Sequence, residues 1–358
     1  MLRKVLKTIF PRVLVDRLKL AYEWLDVRLA KIASVSSWLT MAYYLVWSSE
    51  FIREMRSVLI ARKYYYQARS GKNPNSYLLR RNIHRLEKGL IMQPRRHLFG
   101  EGYIEETVNY FSLCLQENIL TSSEQIWAHS VLTEYFSVVS SSSITDNARW
   151  NFSSILNDQL IQKSDIQFKP ITHSALESSK VTFDDFKSLC SRRHSVRWFA
   201  PVPVPEECLK AAIDVAATAP SACNRQPLKF HIFNDPERAR EIGGIPMGTA
   251  GFSHNFQCVV VLVGDLSAYP FEKDRHIIYI DGALAAMQFQ LALETLGLST
   301  CTINWPDVER HEIKMARALN LSPYQRPIML IAVGYADDGT RVPYSSKKSS
   351  ADIMVKGK

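Results

Sequence analysis

The two halves of this chain carry different periodicities. Up to about residue 140, apolar residues recur at three- and four-residue steps, which is the spacing of one face of an α-helix. Residues 103–116 and 123–138 in particular predict two helices. Further along, short β-branched runs such as residues 258–263 and 299–304 are interleaved with helical patterns, of which one has Thr182 as its N-cap and another, long one opens at Asp281. We therefore predict an all-helical region over residues 1–140, a linker over 141–180 that drapes over another surface, and an α+β domain with few strands over 181–358.

The charge of the chain follows the same division. Residues 1–100 contain 20 Lys and Arg against 6 Asp and Glu, whereas the remaining residues contain 24 against 29. The net charge of +9 therefore belongs to the helical region, and the second domain is slightly acidic. Such an asymmetry indicates two functional units.

Three stretches of the helical region suggest a partner surface. The first thirty residues form an amphipathic basic pattern, kinked or broken at Pro11, that either packs on a neighbouring domain or lies on an anionic membrane. Residues 32–49 carry no charge, but they are too few and too rich in Ser and Thr to span a bilayer, so we predict an interfacial or buried helix. Residues 78–90 are a cation-dense helix with Gly89 as its C-cap, and this helix either faces solvent or binds an anionic partner.

The cysteine and histidine positions do not predict a metal site. The six cysteines include no CxxC pair, and the nine histidines are scattered without metal-ligand spacing. The N-terminal apolar residues are interrupted by cations, unlike a secretory signal. We expect reduced thiols, no bound metal and a cytoplasmic protein, with the membrane surface as an alternative location.

The segment Arg192–Arg197 has the residues of an anion site. If it is extended, the side chains of Arg193, Ser195 and Arg197 point the same way, because successive residues of a strand alternate faces. Two guanidinium groups and a hydroxyl would then converge on one point, which suits a phosphate. The alternative is a solvated basic turn.

A second segment, about one helix later, has the residues of a ring-binding loop. Residues 219–227 read Ala-Pro-Ser-Ala-Cys-Asn-Arg-Gln-Pro, with small side chains, an Asn, a Gln and turn-type backbone. Such a loop can hydrogen-bond the edge of a polar heterocycle. The alternative is an ordinary surface loop.

Together, the two segments resemble the paired motifs of the nitroreductase family of FMN-dependent oxidoreductases, and the resemblance runs from about Val181 to the C-terminus. It implies a mostly antiparallel sheet flanked by helices, in a homodimer that binds two FMN molecules at its interface. One subunit would hold the phosphate, and the other would supply the loop. The implied cofactor-binding residues are Arg192, Arg193, His194, Ser195 and Arg197 in the first segment, and Pro220, Ser221, Ala222, Asn224 and Gln226 in the second.

The resemblance also implies contacts near the C-terminus. Lys347 and Lys348 would reach the FMN phosphate, although the family usually has an arginine there. A backbone N–H near Ile303 and Asn304 would face the reactive ring, and the residues here differ from the Glu-Gly pair common in the family, which indicates a differently shaped substrate pocket. We assign the neighbouring Trp305 and Cys301 to the core.

The activity implied by the resemblance is a ping-pong hydride transfer from NAD(P)H through FMN to an unidentified acceptor. The flavin carries the redox chemistry, so we predict no catalytic side chain. One alternative is an adaptor that binds an anionic or membrane surface and uses the flavin fold as a scaffold. Another is a specialised flavin dehydrogenase. We predict no specific nucleic-acid partner.

Overall fold

The computed structural model describes residues 12–157 and 168–357. The chain divides into two compact units, Met1–Ser57 and Val58–Lys358. The predicted kink at Pro11 lies outside the described residues. The predicted domain limits at 140 and 180 stay predictions.

The first unit contains a helical hairpin. It consists of α1 (Arg12–Ala33) and α2 (Ser37–Val46), followed by the start of α3 (Ile52–Arg69). Asp26 on α1 joins the two helices, because its Oδ1 accepts hydrogen bonds from the Tyr43 hydroxyl at 2.5 Å and from Trp47 Nε1 at 2.8 Å. The predicted helix within residues 32–49 is confirmed, but α2 buries none of its residues. None of the described helices combines the length and apolarity needed to cross a membrane.

The second unit begins with a helical core. Its helices after α3 are α4 (Tyr77–Leu90), α5 (Glu101–Gln116), α6 (Ser122–Val138) and α7 (Ser143–Asn157). The predicted helices at 103–116 and 123–138 are thereby confirmed. The α6 helix begins with a capping box, in which Thr121 and Glu124 each bind the other's backbone N–H.

Two details of this helical core correct the sequence predictions. Gly89 is not a C-cap, because α4 continues to Leu90; a Cβ at Gly89 would come within 2.4 Å of the Phe99 ring, so a side chain there would displace that ring. Residues 143–157 were assigned to the linker, but they form α7. This helix buries Ala148, Phe152 and Ile155 in the helical core, and that burial stabilises it.

The rest of the second unit is built on a four-stranded antiparallel sheet. Its strands are β1 (Leu228–Phe233), β2 (Cys258–Asp265), β3 (Ser299–Asn304) and β4 (Gln325–Gly334), in the order β1-β2-β4-β3. The central strands β2 and β4 are largely buried, and β1 and β3 lie at the edges. The sheet is flanked by helices, which are α8 (Phe183–Arg192), α9 (Glu206–Ala216), α10 (Pro236–Gly243), α11 (Ile277–Thr295) and α12 (Glu309–Leu319), and the short α13 (Ser350–Ile353) follows.

Each face of the sheet is covered by two helices. On β2, Cys258, Val260 and Leu262 pack against α9 and α11, and the alternating residues Val259 and Val261 pack against α10 and α12. This is the alternation expected of a strand that is buried on both sides. The predicted α+β sandwich, with a mostly antiparallel sheet flanked by helices and a helical N-terminal region, is confirmed.

The start of helix α8 agrees with the sequence prediction, whereas the start of helix α11 differs from it by a full turn. Thr182 caps α8 as predicted and forms a capping box with Asp185. The long helix α11 begins at Ile277, whereas we expected it to open at Asp281. Asp281 therefore lies inside the helix, where its side chain is buried.

Candidate functional site

The first predicted segment is extended along the outer edge of β3. The Val196 N–H donates to the Thr300 carbonyl at 3.0 Å, and Ser195 and Phe199 form isolated bridges with Thr300 and Ala336. Val196 is buried, Ser195 and Arg193 are half-buried, and Arg197 is exposed. Val196 is more buried than its neighbours, which agrees with the predicted alternation. That the side chains of Arg193, Ser195 and Arg197 point the same way stays a prediction.

Both arginines of this segment act electrostatically on one residue of β3, Cys301. Burial raises the pKa of the Cys301 thiol, and the positive charges of Arg197 and Arg193 oppose that rise. Both positive charges therefore lie within electrostatic range of this thiol. Cys301 itself is a core residue, as predicted.

The two other residues predicted in this segment interact with the protein. Arg192, with 73 % of its side chain exposed, pairs with Glu294 at 3.1 Å. His194 Nδ1 lies 2.7 Å from the carbonyl oxygen of Arg192. Their assignment as cofactor ligands stays a prediction.

The second predicted segment is a tight loop with unusual backbone. Cys223, Asn224 and Gln226 have φ values of 54°, 52° and 50°, in the left-handed region. Each such residue costs about 1–3 kcal/mol and persists only where its surroundings enforce it. Specific contacts must therefore hold residues 220–227 in this shape.

One set of these contacts comes from the loop itself and from α11. The buried Asp281 accepts a hydrogen bond from the Ala222 N–H at 3.0 Å, and Ser221 Oγ accepts one from the Gln226 N–H at 3.1 Å. Arg225 Nη1 donates to the Ala222 carbonyl at 3.1 Å. We predicted Asp281 as the start of the long helix and not as a contact of the loop, although Asp281 and Glu294 are the two acidic residues of α11.

A second set of contacts comes from the helical core. Arg80 on α4 donates to the Asn224 carbonyl at 2.8 Å and to Gln226 Oε1 at 2.6 Å. Gln226 Nε2 donates to the Ala217 carbonyl at 2.7 Å. Both ends of the Gln226 amide therefore bind protein groups, which gives this side chain a part in fixing the loop; its role as a ligand stays a prediction.

A cavity and a groove adjoin the loop. The cavity has a volume of about 210 Å³, and its lining includes Pro220, Ser221, Gln226 and Asp281. The groove has a volume of about 730 Å³ and runs along α11 beside Pro220. It exposes an apolar stripe at helical spacing, formed by Ile280, Leu284 and Met287, which are 54 %, 44 % and 41 % exposed.

The remaining predicted residues are dispersed. Ile303 is buried in the core and Asn304 is exposed at the end of β3. Trp305 is buried, with its Nε1 donating to Glu312 Oε1 at 2.6 Å, so its predicted place in the core is confirmed. Lys347 and Lys348 are exposed beyond β4, and within residues 168–357 no hydrogen bond or ion pair fixes them beside the arginines.

The sequence of the C-terminal half matches a known family. The model of the nitroreductase family matches residues 190–250 and 247–335. YdgI of Bacillus subtilis, named as an NAD(P)H nitroreductase, is 26 % identical over 212 residues, which are 49 % of this chain and 98 % of that protein. An iodotyrosine deiodinase of Haliscomenobacter hydrossis is 24 % identical over 197 residues, which are 48 % of this chain and 88 % of that protein.

A structural comparison gives a match over a similar share of the chain. An FMN-dependent nitroreductase from Clostridium difficile R20291 has 20 % identity and a TM-score of 0.41, covering 47 % of this chain and 98 % of that one. The family match includes the segment on the edge of β3, the loop at 220–227 and the four strands of the sheet. The C-terminal half of this chain is a domain of the nitroreductase family.

Proposed function

We propose that this oxidoreductase of the nitroreductase type binds FMN and transfers a hydride from NAD(P)H to a second substrate. The observation that carries the proposal is the extended segment at the edge of β3, in which Ser195 lies between Arg193 and Arg197 and both cations act electrostatically on Cys301. Two guanidinium groups with a hydroxyl between them suit a phosphate monoester, because charge-assisted hydrogen bonds are the strongest that side chains offer.

The residues present fit the cofactor. Arg193, Ser195 and Arg197 would hold the phosphate, and the loop would face the ring. Asn224 is half-buried, and among the described residues its side-chain amide has no hydrogen-bond partner, so it can bind a heterocycle edge. Bound FMN supplies the redox chemistry, two hydride-transfer half-reactions in ping-pong order, while the chain supplies binding and orientation.

A second copy of the chain completes the site in this proposal. The apolar stripe on α11 and the loop residue Pro220 line the same groove. The family resemblance implies that a partner covering this stripe would bring its own segment 193–197 close to the loop of the first chain. A homodimer with two shared sites follows from this arrangement.

The direct test is the visible spectrum of the purified protein. The expected result is a yellow protein, or a colourless one that gains flavin absorbance on addition of FMN and loses it on addition of NADH or NADPH without oxygen. Comparing the two nucleotides identifies the donor. A protein that stays colourless and does not quench FMN fluorescence would refute the proposal.

A second candidate function concerns the N-terminal hairpin, whose exposed aromatic and aliphatic side chains favour docking on an anionic bilayer surface. The uncharged helix α2 exposes 78 % of Trp38 and 84 % of Val46, and the sequence around it is basic. Co-sedimentation with vesicles containing phosphatidylserine should show binding that weakens as salt is raised. Recovery of equal amounts of the protein with sedimented neutral and anionic vesicles would exclude docking on an anionic surface.

A further inference from the structure

We infer that Arg80, in the helical core, is a positioning residue for the cofactor loop at residues 220–227. The inference rests on the proposed function, because it takes the loop to face FMN. It assigns to the helical core a part in cofactor binding. The core would set the shape of the loop without touching the cofactor.

The guanidinium of Arg80 bridges two elements that are far apart in sequence. Its Nε and Nη2 donate to the Asn224 carbonyl and to Gln226 Oε1, and its Nη1 donates to Glu124 Oε1 at 2.8 Å. Only 12 % of the Arg80 side chain is exposed. A planar fork with fixed donors suits this bridge, and an ammonium group could not reproduce it.

The other end of the bridge is well anchored. Burial raises the pKa of Glu124, but hydrogen bonds from Thr121 and the charge of Arg80 outweigh burial, so the pKa lies below its usual value. Glu124 therefore stays ionised at neutral pH, and the capping box fixes it at the start of α6. The Arg80 guanidinium also lies 5.3 Å from the centre of the Trp127 ring.

The contacts on the loop fall on its left-handed residues. Of the three residues with positive φ, Asn224 and Gln226 are the two that Arg80 binds. A hydrogen bond to the Asn224 carbonyl fixes the peptide that follows this residue, and so helps to fix where its free side-chain amide points. Without Arg80, the loop would populate other backbone conformations. The apparent affinity for FMN would then fall in proportion to the fraction of molecules whose loop keeps the binding-competent shape.

The experiment compares Arg80→Ala with Arg85→Ala, a matched variant on the same helix. Arg85 lies 3.7 Å over the Tyr103 ring and makes no hydrogen bond to the loop among the described contacts, so its loss controls for a missing arginine on α4. The first measurement is the labelling rate of Cys223 in the cofactor-free protein, followed by mass spectrometry of each thiol. We expect Arg80→Ala to raise the Cys223 rate severalfold and Arg85→Ala to leave it unchanged.

The second measurement is FMN affinity by fluorescence quenching. We expect Arg80→Ala to weaken FMN binding about tenfold, which corresponds to about one molecule in ten having its loop in the binding-competent shape. Arg80→Lys should restore only part of the loss, and Arg85→Ala should stay within about twofold of the unsubstituted protein. The bound flavin should also show a shifted absorption band in Arg80→Ala, because its contacts with the loop change.

The outcomes separate this inference from the proposed function. An unchanged Cys223 rate in Arg80→Ala would overturn the positioning role, and so would a faster rate with unchanged FMN affinity and spectrum. If Arg80→Ala does not fold, Arg80→Lys and Glu124→Gln can each be compared with Arg85→Ala in the same two measurements. Each of these variants weakens the hydrogen bonds by which Arg80 joins Glu124 to the loop. An unsubstituted protein that does not bind FMN would remove the proposed function, and this inference with it.

Discussion

The two segments that build the candidate site are held in different ways. The loop at 220–227 is tied by hydrogen bonds from α4, from α11 and from within itself, and its backbone is strained. The segment at 193–197 lies on a strand edge, and neither Arg193 nor Arg197 has a described carboxylate partner. In this arrangement the protein fixes the shape of one half of the site and supplies the charge of the other.

This difference has a physical consequence. A loop shaped by buried hydrogen bonds binds a ring edge with little reorganisation, and its contribution depends only weakly on salt. An exposed pair of cations binds an anion strongly, but the interaction is screened by salt. The following changes test whether the two halves behave so differently.

The largest effect is expected from the charged half. Arg193→Ala combined with Arg197→Ala removes two charge-assisted contacts, each of about 1.5–3 kcal/mol, so FMN affinity should fall by between about a hundredfold and ten-thousandfold. Titration of the protein with FMN measures it. Arg238→Ala is the control, because Arg238 forms an exposed ion pair with Glu241 on α10, away from the site, and such pairs contribute little. An equal loss in both variants would show that net charge, and not placement, matters.

The next effect tests whether the halves belong to different subunits. Leu284→Glu places a charge in the apolar stripe of α11, so we expect the dimer to dissociate and FMN retention to fall with it. Light scattering coupled to gel filtration gives the mass. Ile313→Glu on α12 is the control, since Ile313 is similarly exposed but lies outside the groove. A variant that is monomeric and still binds FMN tightly would place the whole site in one chain.

A smaller effect is expected in the shaped half. Asp281→Ala leaves the Ala222 N–H without its acceptor, and an unsatisfied buried donor costs about 1–3 kcal/mol. Denaturation in urea should show a loss of this size. No measurable loss would mean that the loop does not depend on α11.

The pH dependence of stability sharpens this test. Burial raises the pKa of Asp281, and hydrogen bonds from Ala222 and Tyr269 oppose the rise. A folded-state pKa above the unfolded one stabilises the fold at low pH, and this stabilisation is lost as pH rises through the folded value. The unfolding free energy of the unsubstituted protein relative to Asp281→Asn should therefore be highest below about pH 4 and decrease as the pH rises toward neutral.

The smallest effect concerns the thiol beneath the charged half. Cys301 is buried and its pKa is raised by burial, whereas Cys190 is exposed. Labelling at neutral pH should modify Cys190 well before Cys301. Faster modification of Cys301 would show that the edge of β3 opens in solution.

The local parts of the site could be predicted from sequence, because they depend on neighbouring residues. Strand alternation placed Arg193, Ser195 and Arg197 on one side, and the segment does lie extended on β3. The capping residue Thr182 and the strand at 299–304 were also found from local patterns. In each of these cases, nearby residues were sufficient to determine the structure.

The parts that sequence did not reveal depend on long-range contacts. Arg80 binds residues more than 140 positions away, and in the sequence it is one cation among several on α4. Asp281 has the residue type of a helix cap, but it lies within α11, where it accepts a hydrogen bond from the loop. The helix at 143–157 was hidden by its serines, because the burial of Phe152 and Ile155 depends on helices elsewhere.

The path of the chain after β4 has a consequence for Lys347 and Lys348. Ala336 pairs with Phe199, and the Asp337 N–H donates to the Trp198 carbonyl at 3.2 Å, so the tail starts beside the segment that carries Arg193 and Arg197. Ten residues of extended chain reach about 35 Å at most. When the arginines hold an anion, the tail can therefore bring these lysines to it without leaving the same chain. The effective concentration of the lysine side chains at the anion is then about a millimolar or more, which favours the contact. A tethered arm of this kind can slow the escape of a bound anion while leaving its entry open.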